Sequence, residues 1–168
     1  MLSLSVVFAG TFDGQEFKRP KDYTTSFSRE LKPISVDFEP EALAVNGLDR
    51  DALIREGTDP AEAMADAARW IETIAGPCKP VLVAYPLSFD WTWLYWYFVR
   101  YCGASPFNHS QCFDIKTAIA VKERRPISGS GRSALSPHFR SARPHTHHAL
   151  DDAAEQAEIF ANVFEWKP

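Results

Sequence analysis

The sequence predicts a mixed α/β domain in which helices cover a sheet, and three observations support this fold class. Two β-type segments, residues 3–12 and roughly 23–31, flank the turn signal Asp13-Gly14. A compact apolar segment of strand type, residues 79–86, lies between two helical segments. The predicted order is two antiparallel strands, helix, strand, helix, a short strand with a helix, and a last helix, which is typical of such a covered sheet.

The clearest element is a helix that spans residues 60–75. Asp59 is placed to be its N-cap, Pro60 suits its first position, and Gly76 marks its end. Ahead of it, PEALAVNGL (residues 40–48) predicts a short helix or a turn. The residues expected to form the buried stripe of the main helix are Met64, Ala67, Ala68 and Ile71.

The aromatic segment WTWLYWYFVRYCG (residues 91–103) predicts a second long helix. Its aromatic side chains would cover most of the helix circumference, which favours the core, with a dimer face, over a platform that stacks nucleic-acid bases. Further on, residues 112–123 predict a short strand and a helix, ISGSGRSALSP (residues 127–137) a flexible loop, and residues 149–164 the last helix.

Length and composition indicate a folded single domain, residues 1–168. The chain is 45% hydrophobic and 24% charged, which is ordinary for a globular protein and unlike a disordered one. No basic segment precedes the apolar opening, so neither a signal peptide nor a membrane span is predicted, and the expected location is the cytoplasm. Cys78, Cys102 and Cys112 lack CxxC spacing, so we expect reduced and mostly buried thiols.

The charge is unevenly distributed along the chain. The formal net charge is −4, yet residues 121–148 contain six Lys and Arg residues against Glu123 alone, so this basic segment carries +5 and the rest −9. This distribution suits an enzyme whose carboxylates hold cations and whose basic segment contacts a phosphate backbone. A solvated basic loop explains the charge equally well.

PHTHHALDDAAEQAEIF (residues 144–160) places histidines and adjacent aspartates ahead of the last helix. Carboxylates in a first helical turn favour the positive end of the helix dipole, so a charged helix start accounts for the aspartates without chemistry. It does not account for His145, His147 and His148, since one cap satisfies the free N–H groups. The pattern therefore also fits the end of an active site.

A second acidic candidate, Asp90, follows the apolar strand at residues 79–86, where ligand sites gather in α/β folds. It could equally cap the helix that comes next. Together with Asp152 and His147 it gives two carboxylates and an imidazole on separate elements. Carboxylates hold hard divalent cations such as Mg²⁺, and a nearby histidine can take a proton from an attacking water, so this set suits phosphodiester cleavage.

Four segments resemble, in this order, the DEDDh 3′–5′ exonucleases, relatives of the proofreading exonuclease and ribonuclease T. They are PEALAVNGL (residues 40–48), the Phe89-Asp90 pair, FDIKT (residues 113–117) and HHALDDAAEQAEIF (residues 147–160). The resemblance covers nearly the whole chain. It implies a ribonuclease H-like mixed sheet flanked by helices, which hydrolyses phosphodiester bonds at single-stranded DNA or RNA 3′ ends with Mg²⁺ or Mn²⁺.

The resemblance also implies roles for individual residues. Asp90 and Asp152 become metal carboxylates and His147 becomes the general base, whereas Asp151 and His148 are their neighbours. The residues expected to contact substrate, from the first motif, the Phe-Asp pair and the basic segment, are Val45, Asn46, Gly47, Phe89, Arg124, Arg125 and Arg140.

The chain departs from the family at two places. The family's Asp-x-Glu motif on its opening strand is absent, and Asp13 and Glu16 have the wrong spacing. A segment like SLSVVFAGTFDGQ is the second strand of relatives, so we expect the sheet to lack its first, central strand and the chain to bind metal and cleave weakly or not at all. The second departure is Tyr85-Pro86, where the family commonly has His-Asn.

Two further functions remain as alternatives to the exonuclease. A non-catalytic domain that binds nucleic acid or a protein partner would retain the same fold. A zinc site of His145, His147 and His148 is less favoured, because no Cys or His partner lies at ligand spacing. A homodimer formed through an exposed strand edge is also expected. The sequence does not distinguish DNA from RNA, since contacts to the 2′-hydroxyl have no local signature.

Overall fold

The structure, a computed structural model, describes residues 1–167. Its first sheet pairs β1 (Ser3–Val7) with β4 (Ser26–Glu30) in antiparallel register. The predicted strand over residues 3–12 is in fact two strands, because the chain breaks at Gly10 and continues in a small hairpin of β2 (Thr11–Phe12) and β3 (Phe17–Lys18). Gly10 has φ of +135°, and a Cβ there would lie 2.6 Å from the Lys18 carbonyl oxygen, so only glycine fits.

A second sheet pairs β5 (Leu82–Ala84) with β6 (Cys112–Asp114) in parallel. Within residues 1–167, no strand lies between β1 and β5. Both strands line a cavity of about 880 Å³. We call this cavity the interstrand slot.

Six α-helices complete the described chain: α1 (Pro40–Asn46), α2 (Arg50–Glu56), α3 (Pro60–Ala75), α4 (Leu87–Cys102), α5 (Ile115–Lys122) and α6 (Ala149–Glu165). The predicted caps of α3 are confirmed, since the Asp59 side chain accepts from the backbone N–H of Ala61 and the helix ends at Gly76. Ala63 joins its buried stripe, whereas Ala68 is only partly buried. α2 was not predicted. Across residues 1–167, none of the helices combines the length and the hydropathy that a membrane span needs.

The core consists of two apolar clusters that place helices on both faces of the sheets. One cluster packs α3 and α4 against β1 and β4, and the other packs α5 and α6 against β5. α4 contributes Tyr97 and Phe98, both fully buried. The expectation that its aromatic residues belong mainly to the core is only partly right, because Trp93, Tyr95 and Trp96 remain almost half exposed.

Residues 127–139 do not form the flexible loop that their Gly and Ser content predicts. They fold into three 3₁₀ turns, Ile127–Gly129, Arg132–Ala134 and Pro137–Phe139. Leu135 and Phe139 anchor the segment in the core, and Ser130 is fully buried with its Oγ donating to the Pro126 carbonyl oxygen. Apolar anchors thus outweigh the local turn composition.

The cysteines also differ from the prediction, which had them mostly buried. Cys78 and Cys102 are exposed and Cys112 is half-buried. Cys78 and Cys102 lie at the ends of α3 and α4, where the chain turns at the surface, so neither side chain packs in the core.

Candidate active site

Asp90 lies in the first turn of α4, directly after β5. The prediction placed it ahead of a helix from residue 91, but α4 begins at Leu87 with Pro86 as its N-cap, so Asp90 is a helical residue and not the cap. Burial raises the pKa of its carboxyl to about 6, and the Arg132 guanidinium opposes that shift. Phe89 beside it is 66% exposed and borders the same interstrand slot.

Asp114, at the end of β6, fixes the start of α4. Its Oδ2 accepts from the Leu87 backbone N–H at 2.6 Å, and its Oδ1 accepts from the Thr117 N–H at 2.6 Å as the N-cap of α5. One carboxylate therefore joins the N-terminal ends of two helices and sets the position from which Asp90 enters the slot. The FDIKT segment contains this residue, which gives the motif a structural role.

Replacing Asp114 with Ala is expected to lower the free energy of unfolding by about 2 to 3 kcal/mol, because two helix N–H groups lose a charged acceptor. For a chain of this length the melting temperature should then fall by roughly 4 to 12 °C. Thermal melting of the variant, with Asp51→Asn as an exposed-carboxylate control, measures the effect. A melting temperature equal to that of the wild type would contradict the bridging role.

The second part of the site lies at the start of α6. His145, His147 and Asp152 offer ligand atoms within 4.8 Å of one another, and His145 Nδ1 lies 2.9 Å from Asp152 Oδ1. His147 has φ of +61°, a left-handed conformation that non-glycine residues adopt at a cost of about 1–3 kcal/mol and that is concentrated at functional sites. His148 precedes the first residue of α6 and makes no side-chain cap.

Asp90, His145 and Asp152 all line the interstrand slot. Asp152 Oδ1 is buried and accepts no hydrogen bond from residues 1–167, although His145 Nδ1 lies 2.9 Å from it. A buried carboxylate oxygen without a donor is suited to a cation, and carboxylate oxygens are the ligands that hard divalent cations prefer. The donor set at this end of the slot therefore fits a divalent metal ion.

The end of α1 lies close to this cluster. Asn46 borders a small cavity together with Ser3, His147 and His148, and its side chain accepts from the Leu48 N–H at 3.0 Å. Gly47 ends α1 in a left-handed conformation. The first predicted substrate-binding segment therefore comes near the histidines, and Val45 is exposed beside it.

The three arginines predicted to contact substrate do not line the slot. Arg125 is bonded inside its own segment, to the Ala134 carbonyl oxygen at 2.8 Å and to Glu123 at 2.6 Å. Arg140 donates through Nε to the Leu135 carbonyl oxygen at 3.0 Å, and Arg124 is exposed with φ of +52°. Among the cations of residues 121–148, Arg132 is the one that borders the slot in the described chain.

Sequence reasoning did not assign Arg132 or Glu155 to this centre, and it named His145 only as part of the less favoured zinc site. Glu155 has a readable signal, because it follows Asp152 by three positions and so shares its helix face. Its carboxylate lies 3.0 Å from His145 Nδ1 and 2.9 Å from Arg132 Nη1. Arg132 has no comparable signal, since the packing of the 3₁₀ turns brings it to the site.

The comparisons with solved structures confirm the fold. A full-length 3′-exonuclease superposes with a TM-score of 0.64 at 11% identity, over 98% of this chain and 82% of that one. A 3′-exonuclease solved for its 3′-end-specific recognition of a histone mRNA stem-loop superposes with a TM-score of 0.65 at 11% identity, over 98% of this chain and 64% of that one. The chain thus has the ribonuclease H-like fold of these enzymes and spans less than two thirds of the second.

No protein-family model matches the chain. A curated relative, the 3′-5′ DNA exonuclease Cap18 from Escherichia coli, is 35% identical over 135 residues, which are 80% of this chain and 72% of the relative. Identity of this extent, together with the shared fold, shows that the chain belongs to the 3′–5′ exonuclease family of hydrolases.

Proposed function

We propose that the chain is a metal-dependent 3′–5′ exonuclease domain that removes nucleotides from single-stranded ends with Mg²⁺ or Mn²⁺. The observation that supports this function is that Asp90 and Asp152, from α4 and α6, both line the interstrand slot, and that two histidines lie beside Asp152. Single-stranded DNA is the first substrate to test, because the 35% identical relative is named a DNA exonuclease. RNA is the second, since one structural neighbour is described with an mRNA stem-loop.

In this proposal Asp90 and Asp152 hold the cation, and a bound divalent ion supplies stabilisation for the charge that develops on the phosphate. The two histidines have different roles in this proposal. His145 Nδ1 is hydrogen-bonded to Glu155 at 3.0 Å and lies 2.9 Å from Asp152 Oδ1, so this ring is fixed beside the metal carboxylate. His147 is exposed and makes no side-chain hydrogen bond within residues 1–167, so its ring nitrogens are free to accept a proton from water.

Asp152→Asn is expected to reduce digestion of a 5′-labelled single-stranded DNA at least 100-fold, because the amide cannot offer a charged ligand to the cation. Asp151→Asn is the matched control. The Asp151 carboxylate is exposed and accepts from Thr146 Oγ1 at 2.8 Å, so its loss should change the rate less than threefold. EDTA should stop the wild type, and His147→Ala should lower its rate without abolishing metal binding. Equal activity of the two aspartate variants would contradict the assignment.

A second candidate is a non-catalytic domain that binds nucleic acid, and the position of the other acidic pair favours it. Asp13 accepts from the Gln15 and Glu16 N–H groups at the hairpin tip, and Phe12 there packs on Phe164 near the end of α6. Twelve helical residues separate Phe164 from Asp152, about 18 Å. Asp13 and Glu16 therefore do not replace the missing Asp-x-Glu pair, and binding of single strands without digestion would select this candidate.

We propose in addition that two copies associate through the unpaired edges of β1 and β5, which leave backbone N–H and C=O groups without strand partners. Sedimentation at two protein concentrations tests this association. A monomer at all concentrations would contradict it.

A further inference from the structure

The proposed function assigns no role to Arg132. It lies on the second 3₁₀ turn and borders the interstrand slot with Asp90, His145 and Asp152. Its side chain is only 25% exposed, which is unusual for an arginine without a structural or binding role.

One edge of the Arg132 guanidinium is held by the protein. Nη1 lies 2.9 Å from Glu155 Oε2, and the same nitrogen contacts His145 Nδ1. Glu155 is buried, with 11% of its side chain exposed, so this ion pair is shielded from solvent more than a surface pair. The pair therefore fixes where the guanidinium lies.

The other edge is free. Nε and Nη2 make no hydrogen bond within residues 1–167, although Arg132 lies over the Tyr85 ring at 5.9 Å. Tyr85 in turn holds the neighbouring turn, because its hydroxyl donates to the Ser130 carbonyl oxygen at 2.5 Å. A planar guanidinium fixed on one side, with donors left on the other, matches two oxygens of a phosphate.

We propose that Arg132 is a substrate-binding residue that contacts the phosphate of the terminal nucleotide, with Glu155 as the residue that positions it. The inference rests on the proposed function, because it takes a single-stranded nucleic acid as the ligand. The cation held by Asp90 and Asp152 would offset their charge, and Arg132, paired with Glu155 on one edge, still presents its Nε and Nη2 donors at that end of the slot. A phosphate oxygen beside the metal carboxylates would lie within its reach.

The test is the salt dependence of binding, measured by fluorescence anisotropy of a labelled single-stranded DNA with Ca²⁺ in place of Mg²⁺. Loss of one phosphate contact should flatten the slope of log K against log salt by about 0.7. Arg132→Ala should show this change and bind roughly tenfold or more weakly. Arg132→Lys keeps the positive charge but loses the paired N–H donors of the guanidinium. It should therefore keep the salt slope and bind the DNA several-fold more weakly. Arg55→Ala, on exposed α2, is the matched control for loss of charge and should retain both.

Removal of Arg132 takes from the buried Glu155 carboxylate its arginine partner and leaves only His145 beside it, which could unfold the single variant. The double variant R132M/E155Q contains neither the arginine nor the buried carboxylate, and it should show the same flattened salt slope. If the wild type does not bind the DNA, the proposed function fails. If the wild type binds and folded R132A or R132M/E155Q keeps its slope and affinity, the inference is overturned and Arg132 serves only to pair with Glu155.

Discussion

Asp90→Asn is expected to abolish metal-dependent digestion and, at the same time, to raise the melting temperature of the protein at neutral pH. Burial holds the pKa of the Asp90 carboxyl near 6, above its ordinary 3.8. The stabilising effect of this carboxyl is therefore fully present below pH 3.8 and is lost as the pH rises through 6. At pH 8 the folded protein contains a partly buried carboxylate that asparagine would replace with a neutral group.

The two pKa values set the gain in the free energy of unfolding that Asp90→Asn should give. This gain is about 1 to 3 kcal/mol at pH 8 and close to zero near pH 4. We expect the variant to melt several degrees above the wild type at pH 8 and at nearly the same temperature at pH 4. Mg²⁺ should raise the melting temperature of the wild type and leave Asp90→Asn unchanged, because the ion stabilises the charged carboxylate.

Thermal melting at pH 4, 6 and 8, with and without Mg²⁺, measures these differences, and digestion of single-stranded DNA measures the loss of activity. Asp51→Asn, an exposed carboxylate on α2, should shift neither the activity nor the pH dependence. If Asp90→Asn digests DNA at the wild-type rate, or melts below the wild type at pH 8, Asp90 is not a buried metal carboxylate.

The elements with strong local signals are the ones that the sequence predicted well. α3 is bounded by an aspartate cap, a proline and a glycine, and all three act as expected because capping depends on neighbouring residues alone. The 3₁₀ turns were missed, since Leu135 and Phe139 order them through contacts with residues far along the chain. Composition reports local flexibility but not such distant packing.

The site divides in the same way. Asp90 and Asp152 were selected because each occupies a characteristic position beside a strand or at a helix start, and both border the slot. Arg132 was not selected, and His145 was named only for the less favoured zinc site, because their approach to Glu155 and Asp152 depends on how residues 130–148 pack on the start of α6. Arg125 was selected for its charge, but charge does not reveal that its guanidinium is bonded to Glu123 and the Ala134 carbonyl oxygen.

The interstrand slot leads to the prediction with the largest effect on stability. β1 begins beside His147 and His148, whereas β5 ends just before Tyr85, beside Arg132, so the two strands run in opposite directions past the slot. A strand joined by a tight turn ahead of Met1 would therefore lie antiparallel to β1 and parallel to β5, with its last residues at the Asp90 end. The slot is apolar on both faces, lined by Trp70, Ile71, Ile74 and Leu94 on one and by Phe17, Ala153, Ala157 and Phe160 on the other. A strand buried on both faces requires a continuous apolar run.

We expect a version extended upstream by such an apolar strand, ending in Asp-x-Glu, to gain on the order of 3 kcal/mol of stability, because two unpaired edges become hydrogen-bonded and apolar surface is buried. Its melting temperature should rise by roughly 6 to 12 °C. Its Mg²⁺-dependent digestion of single-stranded DNA should exceed that of the unextended chain at least tenfold, since two further carboxylates join Asp90 and Asp152.

Two matched extensions separate the causes. An extension with Asn-x-Gln in place of Asp-x-Glu should raise the melting temperature without raising the digestion rate. An extension with proline at the centre of the strand should raise neither, because proline cannot donate a backbone hydrogen bond to the neighbouring strand. Thermal melting and digestion are measured on all four proteins. If the unextended chain melts and digests as the Asp-x-Glu version does, the slot does not accept a strand, and acidic residues already present, with Glu155 beside Asp152 the first to test, must complete the site.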